Sequence, residues 1–73
     1  MNEERAREIL LRGGFKYSDD GLTRSRDYIV WPLPQFNDES RPLAPDFENI
    51  QIDATLSIDE LEALAWWMRN KRG

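Results

Sequence analysis

The stretch Leu56–Arg72, LSIDELEALAWWMRNKR, decides how this chain is built. It opens with three concordant helix-start signals. Ser57 is placed as an N-cap, Glu60 three residues on completes a capping box, and Leu56 ahead of the cap can staple to Leu61. Ile58, Leu61, Leu64, Ala65 and Met68 then recur at helical spacing and predict a core-facing stripe roughly 120° wide. Trp67 borders that stripe near Leu64, and Trp66 projects far from its centre, beside Asp59 and Asn70. Adjacent helical residues point about 100° apart. One flat core cannot take both indoles, so either two elements flank this helix or one Trp is left as a contact surface. Arg69, Lys71 and Arg72 at the far end complement the helix dipole.

Upstream, Asn2 is suited to cap a first helix over residues 3–12, with Glu3 and Glu4 in the first turn, where negative charge is favoured. Ala6, Ile9, Leu10 and Gly13 share one face, and Leu11 lies off it, open to a second neighbour. Gly13-Gly14 ends the helix, because glycine enters the left-handed conformation at little cost. Phe15-Lys16-Tyr17 alternates, Asp19-Asp20-Gly21 signals a turn, and Leu22-Thr23-Arg24 resumes an extended pattern. Tyr28-Ile29-Val30-Trp31 is the best strand in the chain, four large β-favouring residues in a row, and Pro32 stops it. Such a run predicts cover on both faces, or cover on one and an aromatic on the other. All four prolines lie between residues 32 and 45, so that segment reads as a long proline-rich loop with turn material at Asn37-Asp38-Glu39-Ser40. Leu33, Phe36, Leu43 and Phe47 argue against full disorder, because they are large apolar groups with somewhere to go. Residues 49–53 alternate through Ile50 and Ile52 as a short strand. Helices at both ends with strands between predict an α+β fold: an N-terminal helix, an antiparallel sheet of three to four strands, the loop, and a C-terminal helix packed on the sheet. The 73 residues make one domain.

Composition narrows the function. The chain has no Cys and no His, which removes the usual nucleophile–base pairs and the usual transition-metal ligands. Lys16 and Lys71 are its lysines, and neither sits in an apolar stretch that would depress its pKa. Asp19-Asp20 and Asp38-Glu39 read as turn chemistry, without the alternating oxygen ligands of a calcium loop. No glycine pattern resembles a phosphate-binding loop. The expectation is a non-enzymatic protein without cofactor or metal. The net charge of −4 repels phosphate backbones and makes nucleic acid an unfavourable partner. No apolar run approaches the roughly 20 residues that span a bilayer, and Met1-Asn2-Glu3-Glu4-Arg5 lacks the apolar stretch of a secretory signal. A cytoplasmic location is expected.

Two binding surfaces follow. The leading one joins Trp66 to the loop aromatics Phe36 and Phe47 and serves an unidentified protein partner or a homodimer, because Trp is enriched at interface hot spots. The alternative is a nucleic-acid accessory site in which Lys16, Arg24 and Arg26 stand beside Tyr17 and Tyr28, with cations flanking aromatics that stack on bases. An acidic mimic of a phosphate array, from Asp27 to Glu62, and a PxxP ligand at Pro42–Pro45 are weaker readings, better explained as a solvated surface and a stiffened connector. The run Leu56 to Met68 resembles the tail of small uncharacterised bacterial and prophage-encoded proteins. That resemblance implies a phage or mobile-element origin and no activity.

Overall fold

A computed structural model describes residues 1–71. The reading of Arg72 as part of the basic helix end lies outside those residues. Helix α1 spans Glu3–Arg12, where the sequence places it, and the Asn2 side chain accepts a hydrogen bond from Arg5 N at 2.8 Å. It ends in a Schellman motif: Phe15 N donates to Leu10 O and Gly14 N to Leu11 O, with Gly14 at φ +78°. Phe15 and Leu10, the two apolar residues that flank such a motif, are both buried.

Strands β1 (Lys16–Ser18), β2 (Gly21–Arg24) and β3 (Tyr28–Trp31) form an antiparallel meander. Asp19-Asp20 makes the first turn, closing on Ser18 opposite Gly21. The next two strands, β4 (Leu33–Phe36) and β5 (Pro42–Asp46), pair only with each other. The chain then returns to the main sheet as β6 (Gln51–Asp53), antiparallel to β3, giving the order β1-β2-β3-β6. Helix α2 spans Ile58–Asn70 with the full capping box between Ser57 and Glu60. The fold is α+β, with α1 and α2 packed on each other and on one sheet face.

Register decides which side chains reach the core, because directly opposed residues share a face. Tyr17, Leu22, Arg24, Ile29, Trp31 and Ile52 lie on the helix side, and Lys16, Thr23, Tyr28, Val30 and Asp53 lie on the other. Leu22, Ile29 and Trp31 meet Ala6, Ile9 and Leu10 of α1 and Ala63, Leu64 and Trp67 of α2 in one buried cluster. Each fully buried indole keeps its N–H satisfied: Trp31 Nε1 donates to Phe47 O at 3.1 Å and Trp67 Nε1 to Ser18 O at 2.8 Å.

Three expectations are corrected. The proline-rich loop is a two-stranded ribbon. Asn37 Oδ1 accepts from Glu39 N and Arg41 N and holds the tip, where Ser40 takes φ +59°. A lone ribbon leaves half of each strand's N–H groups outward, so proline costs it less than it would cost a central strand. The predicted stripe on α2 is turned by about one residue's step, roughly 100°. Ala63, Leu64 and Trp67 are buried, while Ile58 is 74% and Leu61 49% exposed. Trp67, expected at the core edge, is at its centre, because the largest apolar group and the inward Glu60 set the helix phase. Leu11, which the sequence left open to a second neighbour, is 70% exposed.

Candidate functional site

With its core face complete, α2 keeps a second apolar stripe. Ile58, Leu61, Ala65 and Met68 follow one another at spacings of three, four and three, which aligns them along the helix. Ile58, Leu61 and Ala65 are exposed and Met68 is half-buried. Ordinary surface helices carry one apolar stripe and a polar remainder. Beside this stripe runs a groove of about 240 Å³ lined by Phe47, Glu48, Ala65, Met68 and Arg69. Phe47 is held there edge-on to Trp31, ring centres 5.4 Å apart. The groove is smaller than the roughly 300–1,000 Å³ of small-molecule sites.

The ribbon is the second exposed apolar feature. Phe36 is 60% and Leu43 52% exposed, and Pro34, Pro42 and Pro45 are exposed beside them. An isolated two-stranded hairpin is marginal in water, and a third strand or a packed helix is normally needed to support it.

The three residues of the leading sequence surface are divided by this arrangement. Phe47 lines the groove and Phe36 rides on the ribbon, but Trp66 stands some 160° round α2 from Met68. Trp66 is half-buried and tilted against Trp67, ring centres 6.1 Å apart. Among the described residues its ring contact is to Trp67 and to neither Phe. The exposed apolar row of α2 is Ile58, Leu61 and Ala65, with half-buried Met68 at its end, and Trp66 lies outside it. The sequence shows the same spacing, but periodicity alone does not say which face of the helix meets the core.

The nucleic-acid set is split further. Lys16 and Tyr28 lie on the outer sheet face, Tyr17 on the helix face against Trp67 (5.3 Å between ring centres), and Arg26 beside the cleft between the end of α1 and the start of α2. Arg24 is only 3% exposed. Its Nε and Nη2 donate to the two Asp27 oxygens, each at 2.9 Å, and Nη1 donates to Glu60 Oε2 at 2.9 Å and Gly13 O at 3.1 Å. A longer bond runs from Nη2 to Thr55 O at 3.5 Å, and the guanidinium sits 4.6 Å from the Phe15 ring centre. Arg24 thus spends its donors on the fold. The same bonds act on its partners. The Arg24 guanidinium holds the Asp27 carboxyl below the usual range. Glu60 is held low first by the Ser57 backbone N–H and then by the Ser57 hydroxyl and Arg24. A second charged lattice closes the other end of the helix pair: Lys71 Nζ meets Glu3 at 2.7 Å and Asp19 at 3.4 Å, and Arg7 meets Glu3 at 3.0 Å.

Among the described residues no three His, Cys, Asp or Glu side chains gather as a metal site, and no helix is long and apolar enough to cross a membrane. Comparison with protein-family models, with curated proteins and with solved structures gave no match.

Proposed function

We propose that this chain is a non-enzymatic cytoplasmic protein that works by binding protein, and that its contact surface is the outer stripe of α2 with the adjoining Phe47 groove. One observation carries the reading: Ile58, Leu61, Ala65 and Met68 form a continuous apolar row on a helix that already buries a different face. Contiguous exposed apolar surface of this kind is the usual mark of a binding face. The absence of imidazole and thiol from the chain supports a binding role over a catalytic one. The division of Lys16, Arg24, Arg26, Tyr17 and Tyr28 between two sheet faces, a cleft and the core supports the protein-binding reading over the nucleic-acid alternative.

The test is a photo-crosslinking side chain at position 61, with position 16 on the outer sheet face as control, in the expressing cell. The reading expects a discrete protein adduct at 61, absent at 16 and lost when Ala65→Glu is added. Equal labelling from both positions, or none at 61, would remove it.

A further inference from the structure

The end of α1 meets the start of α2 at a cleft of about 280 Å³ lined by Ile9, Arg12, Gly13, Arg26, Ser57 and Asp59. None of these residues belongs to the outer row of α2 or to the Phe47 groove. At a water's share of about 30 Å³, the cleft has room for about nine water-sized groups, the bulk of one amino acid. The fold fixes its walls. Glu60, which also lines the cleft, accepts from Ser57 N and from Arg24, each at 2.9 Å, so its carboxylate is spent on the chain. Arg24 also holds Gly13 O at 3.1 Å. Gly13 brings no side chain into the space, and a Cβ there would meet Glu60 Oε2 at 2.7 Å. We propose that this cleft binds a free α-amino acid with an apolar side chain, in its zwitterionic form.

Three features select this ligand class. The first is polar capacity of both signs that the chain leaves unspent. Among the described residues the Arg26 side chain makes no hydrogen bond and no salt bridge, and its field reaches Asp27. Arg12 gives one nitrogen to Glu8 at 2.7 Å and keeps its other donors. The Ser57 hydroxyl accepts from Glu60 N at 3.1 Å, and its own proton has no acceptor among the described residues. Asp59 meets Arg5 at 3.7 Å, beyond hydrogen-bond reach. The second feature is the balance of charge. Guanidinium forks recognise carboxylates, and a carboxylate such as Asp59 recognises an ammonium. Asp59 and Glu60 disfavour a phosphate or other dianion, while Arg12 and Arg26 disfavour a metal cation. A small ligand carrying one charge of each sign on neighbouring atoms satisfies both sets. The third feature is Ile9, 5% exposed, which adds apolar wall to the cleft. Ligand sites combine such lining with a few polar groups that set orientation. In the bound state Arg26, with Arg12, takes the α-carboxylate, Asp59 takes the α-ammonium, and the side chain covers Ile9.

The test is a nitrogen-15 NMR titration of the purified full chain with L-leucine, up to about twenty times a Kd of 1 mM. Saturable shifts are expected at the amides of Gly13, Arg26, Ser57 and Asp59, with Lys16 and Thr23 on the outer sheet face unmoved. N-acetyl-leucine lacks the ammonium, leucinamide lacks the carboxylate and glycine lacks the apolar side chain. Each is expected to bind at least about tenfold more weakly than leucine. Arg26→Ala and Asp59→Asn, both at exposed positions, should each weaken leucine at least about tenfold while leaving the urea midpoint near wild type. The inference is overturned by the absence of saturable shifts at the cleft, by N-acetyl-leucine or leucinamide binding as tightly as leucine, or by unchanged affinity in both variants. Its failure leaves the outer row of α2 as it stands, because the two surfaces share no residue.

Discussion

Arg24 joins the end of α1, the β2–β3 turn, the approach to α2 and its first turn through one guanidinium. Removing one partner of a buried ion pair strands the others, which costs about 3–5 kcal/mol. A domain of this size has a total stability on the order of 4–11 kcal/mol. Arg24→Met is therefore expected to lose a large share of the stability, read as a fall in urea midpoint. A loss within about 0.5 kcal/mol would show that the network is idle. Gly13 belongs to the same cluster, since an added Cβ would sit 2.7 Å from Glu60 Oε2 and 3.0 Å from the Phe15 ring. Gly13→Ala should destabilise by displacing that carboxylate, and Gly14→Ala by about 1 kcal/mol for its left-handed backbone. Locally, the two glycines signal a helix stop. That Gly13 also makes room is not legible there, because Glu60 is distant in sequence. That Arg24 shares a face with Leu22 was legible from their two-residue spacing. That Asp27 and Glu60 would meet it there was not.

At the scale of elements, α1 and the β1–β3 meander were legible because their signals are local: a cap, a glycine stop, a tight turn and a β-branched run. The start of α2 was equally legible, and Ser57→Ala is expected to cost about 1 kcal/mol by freeing the Glu60 N–H that its hydroxyl accepts from at 3.1 Å. The phase of α2 was not legible. The helix is apolar over two stripes, and periodicity alone does not say which one meets the sheet. Leu61→Asp discriminates between them. On the predicted core stripe it would unfold the domain. On the observed outer stripe it should shift the urea midpoint little and abolish the position-61 face. The ribbon was obscured by its prolines, which argue against a central strand but not against an isolated pair. Its amides should exchange with solvent faster than those of β2 and β3, which lie within the four-stranded sheet. Asn37→Ala should speed ribbon exchange further by removing the acceptor at its tip.

For the whole molecule, the depressed carboxyls predict how stability follows pH. Asp27 and Glu60 hold folded pKa values below their unfolded ones, so the unfolded chain binds more protons across the carboxylate range. Their stabilisation is complete above that range and is lost as pH falls through the unfolded and then the folded values. Urea midpoints should therefore drop on acidification, and Glu60→Gln should flatten the drop while lowering the midpoint at neutral pH. An unchanged acid profile in Glu60→Gln would assign the effect to other groups, among them Glu3, held low by Lys71 and Arg7. Lys71 is raised by its bond to Glu3, so its share is present below the ordinary lysine range and is lost as pH rises through the folded value.

The amino-acid order by itself settles what neighbours in the chain can settle: where α1 and α2 begin, where α1 stops, which runs extend, and that reactive imidazole and thiol chemistry is absent. These depend on caps, turns and side-chain type within a few residues. Tertiary packing alone decides which of α2's two apolar stripes is buried, that Arg24 is interior, and that the proline segment forms a separate two-stranded ribbon. Each of those outcomes is a competition between contacts dozens of residues apart, and the largest group, Trp67, takes the core with Ala63 and Leu64 and leaves Ile58, Leu61 and Ala65 facing outward.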